Sequence, residues 1–179
     1  MKNILIISTS LRKGSNSETL AMSFAEGAKT NRNNVETVSL RDKTINFCRG
    51  CLSCQKTQKC VINDDANEIS NKMLNADIIV FATPIYYYEM SGQMKALLDR
   101  ANPLYTTDYK FRDVYLLSSA AETEDTAMDR AITGLEGWIA CFEKAKLKGV
   151  LLAKGVTNIG DIENNEILKK AYEMGTNIS

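Results

Sequence analysis

The stretch Asn3 to Ala28, NILIISTSLRKGSNSETLAMSFAEGA, constrains the fold most tightly. Ile4, Leu5, Ile6 and Ile7 form an apolar run with no polar alternation, as a strand buried on both faces of a parallel sheet requires. The run breaks at Ser8 into a loop of short hydroxyl and amide side chains that continues to Ser17, with Arg12, Lys13 and Gly14 inside it. Leu20, Ala21, Phe24, Ala25 and Ala28 then recur on one helical face. In a strand, small polar loop and helix, backbone N–H groups point outward and the helix dipole favours an anion. The same residues also cap ordinary helices. The anion reading gains from their place as the first turn between the first strand and the first helix.

The remaining chain repeats the alternation. A strand is expected over Val35 to Leu40, a helix over Asp65 to Asn75 and a strand over Asp77 to Ala82. That strand is expected to stop at Thr83-Pro84, because proline does not continue a central strand. A helix follows from Ser91 to Arg100, then a strand from Val114 to Leu117 that delivers Ser118 and Ser119 to a loop. A helix beginning near Glu124 carries Met128, Ala131, Ile132, Leu135, Ile139 and Phe142. The last pair is a strand from Gly149 to Ala153 and a helix from Asn165 to Met174, with Gly175 as its stop. Five such units predict an α/β parallel sheet covered on both sides, in one domain over residues 1–179. Ligands of such sheets sit beyond the carboxyl ends of the strands.

Several uses of this architecture are excluded by what the sequence lacks. There is no G-x-G-x-x-G for a dinucleotide, and Gly155 to Gly160 is followed by Asp161 in place of the lysine of a P-loop. The chain contains 0 His, which removes His-dependent nucleophilic catalysis and His-ligated metals. With 22 basic and 22 acidic residues scattered along it, neither a nucleic-acid footprint nor a polybasic membrane patch is expected. The first apolar run is too short for a signal peptide, and no window reaches the ~18 apolar residues of a membrane span. A cytoplasmic protein is the expectation.

The segment Arg41 to Asp64 has little periodicity and holds four of the 5 cysteines as C-x2-C-x2-C-x5-C: Cys48, Cys51, Cys54 and Cys60. A long irregular connection is usually functional, and four thiolates so close can surround a tetrahedral metal or a cubane cluster. A reduced loop with no metal, a [4Fe-4S] cluster and a structural zinc all remain open. Cys141 falls on the apolar side of the helix that begins near Glu124 and reads as a small core residue.

Three stretches, the loop Ser10 to Ser17, the segment Thr83 to Lys95, and Lys154-Gly155-Val156 with Gly160-Asp161-Ile162 and Ala171-Tyr172-Glu173-Met174-Gly175, resemble the NAD(P)H-dependent FMN reductases and multimeric flavodoxins, the third being similar to the family's last strand and helix. Ser10-Leu11-Arg12-Lys13-Gly14-Ser15-Asn16-Ser17 is similar to their phosphate loop, with Leu11 for Pro, Ser15 for Gly and Ser17 for Thr. Thr83-Pro84-Ile85-Tyr86-Tyr87-Tyr88-Glu89-Met90-Ser91-Gly92-Gln93-Met94-Lys95 matches their second motif more closely. The cysteine spacing resembles the compact motif of the iron-sulfur flavoproteins, a branch of the same superfamily that carries a [4Fe-4S] cluster.

The resemblance implies a flavodoxin-like three-layer sandwich with a five-stranded parallel sheet in the order 2-1-3-4-5. It implies FMN, its phosphate held by Ser10, Arg12, Ser15, Asn16 and Ser17. The ring would lie on Thr83, Pro84, Ile85, Tyr86 and Tyr87, with Ser118 and Ser119 on the other side. The flavin would carry the hydride and electron chemistry, so no protein acid or base is expected. NAD(P)H would be the donor, and a quinone, a nitro- or azo-compound or free flavin the small acceptor. The other reading is an electron carrier for protein partners. Such carriers are usually strongly acidic, and this chain is neutral. Aromatic and apolar residues between Tyr86 and Tyr109 imply a covered surface, and the resemblance a homodimer or homotetramer. The cysteine loop, following the second strand, is expected at the flavin end of the sheet.

Overall fold

The computed structural model describes residues 1–178. The elements are β1 (Asn3–Ser8), α1 (Asn16–Lys29), β2 (Asn34–Ser39), α2 (Ser53–Thr57), α3 (Asp65–Asn75), β3 (Ile78–Tyr86) and β4 (Glu89–Met90). They continue with α4 (Gly92–Arg100), β5 (Asp113–Ser119), α5 (Asp129–Ile139), β6 (Lys146–Ala153) and α6 (Glu166–Thr176). Five parallel strands lie in the order β2-β1-β3-β5-β6, and β4 pairs antiparallel with the end of β3. This is the expected flavodoxin-like order with one short strand added.

The unbroken apolar runs are explained by the two layers. Leu5, Ile7, Ile79 and Phe81 face a core shared with α3, α4 and α5. Ile4, Ile6, Ile78 and Val80 face a second core under α1 and α6. Each strand therefore buries successive residues on opposite faces.

Four expectations change. β3 does not stop at Thr83-Pro84 but runs on to Tyr86. Ala82 O accepts from Thr9 N at 2.8 Å, so Pro84, two residues on, faces the same side after β1 has ended at Ser8. Its missing N–H therefore has no partner to lose. Gly175 is no stop: α6 continues to Thr176. A Cβ there would lie 2.2 Å from Phe24 O, and one on Gly27 would lie 1.9 Å from Tyr172 O. The two glycines let α1 and α6 touch backbone to backbone. The helix expected from Glu124 divides into a 3-10 turn, Asp125–Met128, and α5. Cys141, just beyond α5, is exposed rather than in the core.

Candidate functional site

The register aligns Ser8 of β1 with Ala82 of β3, and Ala82 with Leu117 of β5. The loops that follow these strands are therefore neighbours at the C-terminal edge of the sheet. Three buried hydroxyls join the first two. Thr9 Oγ1 lies 3.0 Å from Ser91 Oγ, Thr83 Oγ1 lies 3.2 Å from Ser91 Oγ, and Ser91 N donates to Thr83 Oγ1 at 3.1 Å. Ser91 also caps α4 through Met94 N. The sequence marked Ser91 as part of the second motif and as a helix start; only the fold brings it against Thr9.

In the first loop, Ser15 caps α1 by accepting from Glu18 N. That leaves the N–H groups of Asn16 and Ser17, in the first helical turn, without intrahelical partners. Ser10, Ser15, Asn16 and Ser17 are buried, whereas Arg12 and Lys13 are exposed at the rim. Ser8 Oγ, beneath the loop, is buried with no hydrogen-bond partner. Arg41 pairs with Glu18 at 3.2 Å, which partly neutralises the one carboxylate whose oxygen accepts from Gly14 N. Buried hydroxyls, open N–H groups and a guanidinium fit one phosphate monoester.

The loop between β6 and α6 braces this turn. Arg12 Nη1 donates to Thr157 O and Asn16 Nδ2 donates to Asn158 O, both at 2.9 Å. Asn16 Oδ1 accepts from Ile162 N at 3.3 Å. Asp161 Oδ2 in turn accepts from Thr157 N and Asn158 N, and these two N–H donors hold its carboxyl below the usual range. The sequence marked this loop only through Gly160-Asp161-Ile162, and in the structure Gly160 has φ +90°.

The second motif is a hairpin. Tyr86 pairs with Glu89, and the two residues between them, Tyr87 and Tyr88, have φ of 51° and 65°. Positive φ at both central positions is a type I′ geometry that favours Asn-Gly. Tyr87 is 98% exposed. Ser118 turns inward, where its hydroxyl donates to Leu151 O and meets Met128 Sδ; Ser119 lies at the strand end. The aromatic stretch divides: Tyr86, Tyr87, Tyr88 and Tyr105 are exposed, whereas Met90, Leu104 and Tyr109 belong to the core.

The cysteine loop departs from expectation. Phe47 lines a cavity with Gly92, Gln93 and Ala96 at the start of α4, but Asn102 Nδ2, past the end of α4, donates to Cys54 Sγ at 3.1 Å. The loop therefore runs down α4, roughly 13 Å long, away from the carboxyl edge of the sheet. Cys48 and Cys141 line a cavity of about 490 Å³ with Trp138 and Tyr105. Cys48 and Cys51 are exposed, Cys60 is half-buried and Cys54 is buried. Hydrogen bonds from the Ser53 backbone and hydroxyl lower the Cys51 thiol. Among the described residues no three Cys, Asp or Glu side chains come together as a metal site.

The loop is fastened at its ends. Arg100, fully buried, grips Asp64 with two bonds at 2.7 and 2.8 Å and also donates to Asn46 O and Ile62 O. Burial alone would raise Asp64, but the Arg100 guanidinium and the Asn46 donors outweigh it and hold the carboxyl at about 2.

Fold and site together define a flavodoxin-like protein with a cluster of buried hydroxyls and open N–H groups at the carboxyl edge of its sheet. Residues 2–140 match the model of the NADPH-dependent FMN reductase family, and the chain belongs to that family. It is 31% identical over 134 residues to an iron-sulfur flavoprotein of Methanosarcina thermophila, covering 74% of this chain and 70% of the relative. An iron-sulfur flavoprotein of Methanocaldococcus jannaschii is 46% identical over 69 residues, 38% of this chain and 36% of that one. The shared stretch thus spans about a third of the second relative. The fold is similar to the NAD(P)H:quinone oxidoreductase of Methanothermobacter marburgensis, with a TM-score of 0.77 at 18% identity, covering 99% of this chain and 96% of that one. An azoreductase from Bacillus anthracis gives 0.73 at 15%, with 98% and 99% covered.

Proposed function

We propose that the protein is an FMN-dependent oxidoreductase that passes electrons from NAD(P)H to a small acceptor such as a quinone, a nitro- or azo-compound or free flavin. The single observation that carries the reading is the cradle between Ser10 and Ser17, with buried hydroxyls and open helix-start N–H groups joined by Thr9, Ser91 and Thr83 to the hairpin. Bound FMN supplies the hydride and electron chemistry. Ser10, Arg12, Ser15, Asn16 and Ser17 bind and orient its phosphate side. Thr83 to Tyr87 present backbone and ring surface to its planar end, and Ser119 closes the far wall. Neither nucleic acid nor membrane is a partner in this reading, which places the protein in the cytoplasm. No helix among the described residues is long and apolar enough to cross a membrane. The exposed Tyr86, Tyr87 and Tyr88 support a homodimer or homotetramer built over the hairpin. The test is anaerobic oxidation of NADH or NADPH by purified, FMN-loaded protein with a quinone or nitro acceptor. Turnover above that of free FMN is expected, and its absence favours the electron carrier.

A second reading concerns the four thiols. Relatives named iron-sulfur flavoproteins and the N–H donors on Cys54 and Cys48 support a [4Fe-4S] cluster on Cys48, Cys51, Cys54 and Cys60, since hydrogen bonds to sulfur accompany such ligands. The donor chemistry fits, but the thiols are not gathered, so the loop must close to bind it. Cys51→Ser with Cys54→Ser should abolish iron and sulfide in the reconstituted protein and leave FMN bound.

A further inference from the structure

We propose that Asp161 is a positioning residue of the phosphate cradle, acting on Arg12 and Asn16 without touching the ligand. The proposal rests on the FMN reading above. Asp161 is exposed and lies on the loop after the last strand, in the late segment Gly160-Asp161-Ile162, whose resemblance concerns the last strand and helix and assigns no residue to the phosphate.

The geometry is a grip on a single peptide unit. A trans peptide is planar, and its C=O and N–H point in opposite directions. The peptide joining Thr157 to Asn158 presents its N–H to Asp161 Oδ2 at 2.7 Å and its C=O to Arg12 Nη1 at 2.9 Å. Asp161 and Arg12 therefore hold opposite edges of one plane, and a carboxylate on the N–H side polarises the carbonyl toward the guanidinium. The same carboxylate oxygen takes Thr157 N at 2.9 Å, which fixes the neighbouring plane as well. Asn158 O then receives Asn16 Nδ2 at 2.9 Å. Gly160, at φ +90°, lets the chain turn back so that Asp161 can reach both N–H groups.

Arg12 would otherwise sample many rotamers at the rim of the loop. One of its N–H groups is fixed by Thr157 O, and the side chain is otherwise exposed. Holding the side chain in this way reduces the ordering cost when the phosphate arrives. Asn16 is committed at both ends of its amide to Asn158 and Ile162. Its contribution to the cradle is therefore its backbone N–H, held in place by the brace.

The proposal predicts a loss confined to the phosphate. Equilibrium titrations of flavin-free protein with FMN and with riboflavin, which lacks the phosphate, test it in wild type, Asp161→Ala, Asp161→Asn and Gly160→Ala. Asp161→Ala should weaken FMN about three- to tenfold, the scale of one net hydrogen bond, and leave riboflavin unchanged. Asp161→Asn keeps an oxygen for the two N–H groups and should recover most of the loss. Gly160→Ala strains the turn by an independent route and should repeat the FMN-selective effect. Equal weakening of both flavins, or no change in FMN affinity, overturns the role of Asp161. A wild-type protein that binds FMN no better than riboflavin overturns the cradle reading itself and this proposal with it.

Discussion

The two polar loops of this protein are built in opposite ways. The turn from Ser8 to Ser17 is short, its hydroxyls are buried, and it is tied to the hairpin through Thr9 and Ser91 and to the β6–α6 loop through Arg12 and Asn16. The loop carrying Cys48 to Cys60 is long, fastened at its ends by Arg100 and Asp64 and in its middle by Asn102 on the buried Cys54, and leaves Cys48 and Cys51 in water. The first is preorganised for a ligand of fixed shape, because most of the ordering cost is met by folding. The second keeps its ends and Cys54 fixed and leaves Cys48 and Cys51 exposed, which suits a group whose ligands must close around it.

The largest effect that tests this contrast is expected at Arg100. Arg100→Met leaves Asp64 buried without its partner and should cost about 3–5 kcal/mol in urea unfolding. Adding Asp64→Asn should recover part of it, because the uncompensated charge is then gone. A loss below about 1 kcal/mol would show that the loop does not depend on this fastening. The same pair sets an acid limit. The carboxyl of Asp64 lies at about 2 in the folded protein against 3.8 for the free side chain. A depressed carboxylate stabilises above its unfolded value, and that stability, about 2–3 kcal/mol, is lost as pH falls from near 4 through about 2. The Asp64→Asn protein should lack this component of acid unfolding.

At the preorganised loop the readout is binding rather than folding. Arg12 is exposed, so Arg12→Ala should leave urea stability unchanged while weakening FMN by about 1.5–3 kcal/mol, the value of a hydrogen bond to a charged group. Flavin fluorescence titration measures it, and an unchanged dissociation constant would mean the guanidinium serves only Thr157.

What the sequence disclosed, and what it did not, follows from where the determinants lie. The alternation of strands and helices, the two-faced burial of Ile4 to Ile7 and the capping of α1 are local patterns, so they were legible, whereas the order of the strands came from the family resemblance. Pro84 was misread as an end because its tolerance depends on where β1 stops, and Gly175 because its partner Phe24 lies far away in the chain. Cys141 sits just past the end of α5, where helical spacing no longer says which way a side chain points. The brace by Asp161 joins residues from opposite ends of the sequence, and no local spacing encodes it. The path of the cysteine loop down α4 has the same origin: Arg100 and Asn102, not the end of β2, decide where the thiols go.

The smallest expected effect is also the one that separates folding from function. Tyr87 and Tyr88 occupy positive φ at the tip of the β3–β4 hairpin, where bulky side chains are disfavoured and Asn or Gly is at ease. Replacing both with Asn-Gly should stabilise the FMN-free protein by about 1 kcal/mol, since the turn is kept and its strain relieved. Strained residues that persist at an exposed tip tend to be kept for what they touch, and here the hairpin extends the strand that would underlie the flavin ring. The same Asn-Gly protein should therefore bind FMN and riboflavin more weakly, by similar factors, because ring surface is lost while the phosphate turn is intact. A gain in stability with both affinities unchanged would remove the tyrosines from the flavin site and leave them to the subunit surface. Light scattering on the same variant would then show the assembly weakened.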